Sequence, residues 1–229
     1  MFKLLNNNKV ALFDFCGTII NFQSADAYVK YALENLNIKL NLSNITRKFL
    51  IKAHLMRVAN KILCIEGDLN KKLILRQLKG FSKNSLELLA EKFYKEIIRP
   101  NYNSEIISEI KRCKSQGFKI FIVSGGYDIY IKHTAREFNF DGVICTELEF
   151  KNNIFTGKYK NFDCMGVNKI KYLKKFFELD NLKNFDSTAY SDSPSDMPLF
   201  NYCARGVAVY PDVPNWIREN KLEALAYHA

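Results

Sequence analysis

Paired cysteines, clustered histidines and long apolar runs are all missing from this 229-residue chain, and each absence removes a class of protein. The six cysteines (Cys16, Cys64, Cys113, Cys145, Cys164, Cys203) are scattered, with no Cys-x-x-Cys pair such as a structural zinc site or a dithiol centre uses. They read as free thiols in a reducing compartment. His54, His133 and His228 stand apart, so neither His-x-x-x-His nor Cys/His spacing points to zinc or to a nucleophilic triad. No apolar stretch reaches the roughly 18 to 20 residues of a membrane helix. The chain meets Lys3, Asn6, Asn7, Asn8 and Lys9 before any secretory-type stretch develops. A cytoplasmic protein with no membrane partner is expected.

A hydrophobic share of 48% is enough to bury an ordinary core, and the length fits one domain or one domain carrying a smaller insert. The formal net charge of +10 fits nucleic acid, an anionic surface or small anionic substrates. Its lysines are dispersed, however. The densest group, Lys169, Lys171, Lys174 and Lys175, alternates with Ile170, Tyr172, Leu173, Phe176 and Phe177 at helical spacing, which predicts a largely solvated helix face. Nucleic acid is therefore not an expected partner.

Val10 to Phe15 is a short apolar run ending in Cys16, Gly17 and Thr18, the pattern of a buried strand followed by a turn. From Ser24 to Glu109 the periodicity becomes helical, punctuated by Gly67, Gly80 and Pro100. Strand signals resume at Lys119 to Val123, before Ser124, Gly125 and Gly126, and a helix is predicted from Asp128 to Phe138. Ile144 to Phe150 and Ile154 to Tyr159 read as a hairpin turning at Asn152 and Asn153, with a helix over Asn168 to Phe177 behind it. The last predicted strands are Thr188 to Ser191 and Gly206 to Val209. Alternating strands and helices imply an α/β fold with a parallel sheet covered on both faces.

In such sheets ligands bind beyond the carboxyl ends of the strands, where Asp14, Ser124 and Asp192 should converge. Magnesium takes hard oxygen ligands and needs only one or two carboxylates besides water and phosphate, which Asp14 and Asp192 supply. A phosphoryl group is held by backbone amides, a small hydroxyl and a cation, for which Ser124, Gly125 and Lys169 are the candidates. Singly, each has a plainer reading: Asp14 a turn residue, Ser124 and its glycines a tight turn, Lys169 a surface lysine, Asp192 and Asp196 caps of a helix starting near Pro194.

Asp14-Phe15-Cys16-Gly17-Thr18, Val123-Ser124-Gly125-Gly126, Gly166-Val167-Asn168-Lys169 and Ser191-Asp192-Ser193-Pro194-Ser195-Asp196 together resemble the four ordered motifs of haloacid dehalogenase-type phosphatases. The helical stretch between the first two is similar to the cap of the phosphoserine phosphatase branch. This resemblance implies a Rossmann-like core over residues 1–22 and 106–229, with an all-helical cap over 23–105. It implies a magnesium-dependent phosphomonoesterase in which Asp14 is the nucleophile and a metal ligand, joined by the Cys16 backbone carbonyl and Asp192. Ser124 and Gly125 would hold the phosphoryl group, Lys169 would neutralise it, and Thr18, Ser193 and Asp196 would support the site.

The chain departs from that pattern in two places. Phosphatases of this family ordinarily carry an aspartate two residues after the nucleophile, as acid and then base; here the residue is Cys16. A thiol with an ordinary pKa near ~8.5 is a possible donor and a weak base, and a small buried filler is an equal reading. The alternatives are a phosphatase that tolerates cysteine, and a slow or inactive relative that binds phosphate or transfers a phosphoryl group. Second, the glutamate that binds the substrate amine in phosphoserine phosphatases is here Gln23, which suits an amino-alcohol, polyol or sugar phosphate, or a conjugate of one. A Phe-Cys-Gly-Thr first motif also resembles proteins of bacterial surface-polysaccharide pathways. Arg57 and Arg76 are candidates for an anionic part of the substrate.

Overall fold

The computed structural model describes residues 3–4, 8–36, 68–210 and 215–226. The chain opens with β1 (Lys9–Phe13), then α1 (Ser24–Asn35), α2 (Asp68–Leu75) and α3 (Lys83–Phe93), which runs on through a wider π-helical turn at Tyr94–Ile98. α4 (Ser104–Ser115), β2 (Phe118–Tyr127), α5 (Asp128–Glu137) and β3 (Gly142–Thr146) follow, then the pair β4 (Leu148–Lys151) and β5 (Ile154–Tyr159). α6 (Val167–Phe177), β6 (Asp186–Ser191), α7 (Met197–Tyr202), β7 (Arg205–Tyr210), α8 (Asn215–Glu219) and β8 (Glu223–Ala226) complete it.

Among the described residues, six strands form one sheet in the order β3-β2-β1-β6-β7-β8, every pairing parallel. A parallel sheet must be covered on both faces, so its central strands read as unbroken apolar runs. β1 obeys this: Val10, Ala11, Leu12 and Phe13 are all fully buried. Because successive side chains point to opposite faces, Ala11 and Phe13 enter one hydrophobic cluster while Val10 and Leu12 enter the other. β2 divides likewise, Ile120 and Ile122 against Phe121 and Val123.

The first face is covered by α4 and α5 through residues such as Ile110 and Tyr130, with α1 reaching β2, while α3 packs on α1 and α5 through Phe93, whose ring meets Tyr28 and Tyr130. The second is covered by α6, α7 and α8 through Leu173, Phe177, Phe200 and Ile217. Helix starts carry local reasons: Ser82 caps α3 by accepting from Ser85 N–H (3.1 Å), and Asn103 caps α4 by accepting from Glu105 N–H (3.2 Å). The outgoing and returning connections around the helical insert are tied together, Asn103 N–H donating to the Ile19 carbonyl (2.9 Å).

Two readings need correction. The run from Ile144 to Phe150 is two strands: β3 joins the large sheet beside β2, and only Leu148–Lys151 pairs with Ile154–Tyr159. Ile144 and Cys145 are buried against the sheet, while the hairpin closes at Asn152 and Asn153, whose φ values of 49° and 65° are those of a tight primed turn. β8 was not expected, because its short, mostly exposed Glu-Ala-Leu-Ala sequence carries no alternation of a half-buried strand.

Candidate active site

Three strand ends meet at the carboxyl edge of the sheet. Asp14 follows β1, and its N–H donates to the Tyr190 carbonyl of β6 (2.9 Å), extending the ladder and fixing where the side chain stands. Asp14 as a residue is 6% exposed. Lys169, in the first turn of α6 and 3% exposed, donates to Asp14 Oδ1 (2.7 Å) and to Asp196 Oδ2 (2.6 Å). The Ser191 hydroxyl, at the end of β6, donates to the same Asp196 oxygen (2.6 Å). One ammonium thus stands between two carboxylates in short, charge-assisted hydrogen bonds.

Asp192 closes the other side. The Thr18 hydroxyl donates to Asp192 Oδ1 (3.3 Å), and the Asp192 N–H donates to the Thr18 oxygen (3.0 Å). Between them Gly17 has φ +76°, and a Cβ there would collide with the Asp192 carboxylate. Glycine is required both by the left-handed backbone and by the close approach of the acid.

Burial pushes the Asp14 carboxyl up to about 7; Lys169 opposes the rise, and Asp196 and Asp192 add to it. Asp192 is raised by burial and then by Asp196. Burial works against the charged form of Lys169, but the two carboxylates outweigh it and raise its pKa, so the ammonium stays protonated. Three clustered acids facing one lysine leave negative charge in excess, on hard oxygen donors, and this donor set fits a magnesium ion. Among the described residues no group of three His, Cys, Asp or Glu side chains makes a closed metal cage. An open site completed by backbone oxygen, water and phosphate suits magnesium.

The Cys16 thiol is held by Ser24, the first residue of α1. Its Sγ lies 3.0 Å from Ser24 Oγ and accepts from the Ser24 N–H (3.4 Å), and Ser24 Oγ lies 2.8 Å from the Tyr130 hydroxyl. Burial, and then the Asp14 charge, push the thiol up to about 11, so it keeps its proton at neutral pH. Ser124, at the end of the regular part of β2, is buried and accepts from the Gly126 N–H (3.0 Å).

The remaining expected site residues divide. Ser193 is turned into the loop, where its hydroxyl accepts from Ser195 N–H (3.2 Å) and caps the short turn Pro194–Asp196. The expected capping role therefore falls to Ser193, while Asp196 is committed to Lys169 and Ser191. Gln23 and Arg76 are exposed, and Arg57 lies outside the described residues.

Over residues 11–201 the chain matches the haloacid dehalogenase-like hydrolase family. It belongs to that family.

Among curated relatives, this haloacid dehalogenase-like hydrolase is 24% identical over 200 residues to phosphoserine phosphatase of Methanocaldococcus jannaschii, covering 87% of this chain and 84% of that protein. It is 25% identical over 214 residues to histidinol-phosphatase of Neisseria meningitidis serogroup C, covering 89% and 90%. Its fold is similar to that of a Bordetella pertussis Tohama I protein of unknown function, with a TM-score of 0.79, 20% identity, and coverage of 96% and 98%. A phosphoserine phosphatase solved as a phospho-aspartyl intermediate analogue gives a TM-score of 0.60 at 18% identity, over 96% and 93% of the chains. The α/β core expected from the four motifs is the observed fold.

Sequence reasoning about this hydrolase missed Ser24, Tyr130, Ser191 and a buried pair, Lys71 with Asp163. Ser191 was legible as the last residue of a strand ending in an acidic motif. The others carried no signal, since a serine at a helix start, a tyrosine on a helix and a lysine beside Lys72 are ordinary where they stand.

Proposed function

We propose that the chain is a magnesium-dependent phosphomonoesterase of a small phosphorylated metabolite, working through a phospho-aspartate on Asp14. The observation that carries this reading is the Lys169 ammonium held between Asp14 Oδ1 and Asp196 Oδ2 at the strand ends. A lysine so placed opposes the effect of burial and favours the ionised, attacking form of Asp14, and it faces the charge that builds on the transferring group. Asp14, Asp192 and the Cys16 backbone carbonyl would hold magnesium, which when bound neutralises phosphate charge and lowers the pKa of the carboxylates it touches.

In the first half-reaction an Asp14 oxygen attacks phosphorus, the bond to the leaving oxygen breaks, and the phosphoryl group moves to Asp14. Ser124 donates its hydroxyl proton to a phosphoryl oxygen, having accepted from Gly126 N–H. The departing alkoxide takes a proton from Cys16 or from water. In the second half-reaction water attacks the phospho-aspartate and returns the carboxylate. The water's proton passes to the released phosphate, since position 16 offers no side-chain base: with a pKa raised to about 11, a thiolate left by the first half-reaction regains a proton from bulk water, and the thiol then holds it. This favours a second reading beside the first, in which the phospho-aspartate is long-lived and turnover is slow.

A helical cap over residues 23–105 on a core of 1–22 and 106–229 agrees with the tied connections near Ile19 and Asn103. Phosphoserine and histidinol phosphate are natural probes because relatives bear those names. Gln23 in place of the glutamate favours amino-alcohol, polyol or sugar phosphates, and the first-motif likeness to surface-polysaccharide proteins favours a conjugate. Among the described residues no helix is long and apolar enough to cross a membrane. The proposed setting is the cytoplasm.

The test is phosphate release from a panel of these esters with magnesium, against an Asp14→Asn control, with acid-quenched intact mass read alongside. Release by the native protein alone supports the hydrolase. A phosphorylated native protein without release supports the long-lived intermediate. Neither product would exclude both readings.

A further inference from the structure

Lys71 belongs to α2, within the helical insert, and is 9% exposed. Its ammonium donates to the Gly125 carbonyl (2.5 Å) and to Asp163 Oδ1 (2.6 Å), and it lies over the rings of Tyr127 and Tyr159, 5.2 and 5.6 Å from their centroids. Thr146 Oγ1 stands 3.1 Å from the same carbonyl and 2.7 Å from the same carboxylate oxygen, and accepts from the Cys164 N–H (3.0 Å). Asp163 is itself 4% exposed. A buried lysine–aspartate pair is a weak stabiliser, because desolvation offsets most of the attraction. Its position suggests a different role.

The Gly125 carbonyl and the Gly126 N–H are two edges of one planar trans peptide and point in opposite directions. Lys71 holds the carbonyl edge, with the Thr146 hydroxyl beside it, and Ser124 Oγ holds the amide edge at 3.0 Å. A hydroxyl that accepts that bond has its single proton left to donate elsewhere, and its direction is set by the peptide plane. The loop has no slack, because a Cβ on Gly125 would collide with Met165 and reach within 3.5 Å of the Lys71 ammonium.

We propose that Lys71 is a positioning residue for phosphoryl transfer: by gripping the Gly125–Gly126 peptide from the helical insert, it sets the direction of the Ser124 hydroxyl. The inference rests on the reading of Ser124 as the group that holds the phosphoryl oxygen. It makes the alignment of the Ser124–Gly126 loop depend on where α2 holds Lys71.

Lys71→Met alone leaves the Asp163 charge buried without its cation and invites misfolding, so the pair is replaced together as Lys71→Met/Asp163→Asn. The decisive measurement is a cycle of native protein, the pair variant, Ser124→Ala and the combination, assayed on p-nitrophenyl phosphate with magnesium. The pair variant should lose about 10²-fold in kcat, with KM nearly unchanged, the size of losing one oriented oxyanion donor. In the Ser124→Ala background the same replacement should cost less than about threefold, since both act through one hydroxyl. A role in folding alone would give independent, multiplying losses. Multiplying losses, or a pair variant within about threefold of native kcat, would overturn the proposal. Inorganic phosphate titrated calorimetrically with magnesium gives the same cycle without turnover. Phosphate binding by a native protein that hydrolyses nothing would sink the hydrolase reading while the coupling still decides the role of Lys71. No phosphate binding by the native protein would overturn both.

Discussion

Replacing Asp14 with asparagine should stabilise the metal-free protein. Asp14 sits buried beside Asp196 and Asp192, and burial carries its carboxyl from the ordinary 3.8 to about 7. In the unfolded chain the group titrates near 3.8, so between those values the folded state holds a proton that the unfolded state has released. A raised carboxyl therefore stabilises the fold at low pH; that contribution is lost as pH rises, and the full cost is present above about 7. At 1.36 kcal/mol per unit, a gap of roughly three units amounts to at most about 4 kcal/mol. Asparagine at position 14 keeps an oxygen for the Lys169 donor and carries no charge, while Lys169 retains Asp196. For a chain of this size, roughly 2–4 °C in Tm accompanies each kcal/mol, so Asp14→Asn should melt on the order of 10 °C higher at about pH 8 in EDTA, and close to the native protein at about pH 4. Magnesium should then stabilise the native protein more than the variant. A variant no more stable than native at pH 8, with a difference that does not vary with pH, would refute the electrostatic account of the site.

Three further outcomes follow from the same geometry. Cys16→Asp should raise kcat by about 10²-fold or more where hydrolysis of the phospho-aspartate limits turnover; an unchanged rate places the limit elsewhere. Gly17→Ala forces a strained φ and a collision with Asp192, so it should cost about 1–3 kcal/mol in denaturant titration and abolish magnesium-dependent phosphate release. Lys169→Met leaves Asp14 and Asp196 buried without their cation, and should cost about 3–5 kcal/mol and eliminate phosphorylation of the protein in the mass assay.

The sheet was readable because burial on both faces leaves a continuous apolar run, and Val10–Phe13 and Ile120–Val123 are such runs. The carboxylate and lysine cluster was readable because each member directly follows a strand or opens a helix, so local sequence order places it at one edge. Lys71 was not readable for the opposite reason. Its partners Gly125 and Asp163, and the Thr146 hydroxyl beside both, come from separate segments that only the folded chain brings together, and nothing local distinguishes it from Lys72. β3 and β4 read as one strand because both are apolar, and what separates them is a change of pairing partner at Glu147, a tertiary event.

The pairing of β1 has a kinetic consequence. Its neighbours are β2, in register Lys9↔Phe118, and β6, in register Lys9↔Asp186, both distant along the chain. Contacts between remote segments incur loop-closure entropy before they are rewarded, which slows folding of such topologies. During synthesis Val10–Phe13 emerges as an unpaired hydrophobic strand and must wait for most of the chain before it is covered on either side. The cluster of Asp14, Lys169 and Asp192 cannot exist until β6 has docked. Refolding followed by phosphate binding should therefore lag behind the recovery of helical signal, with the intermediate being the aggregation-prone species.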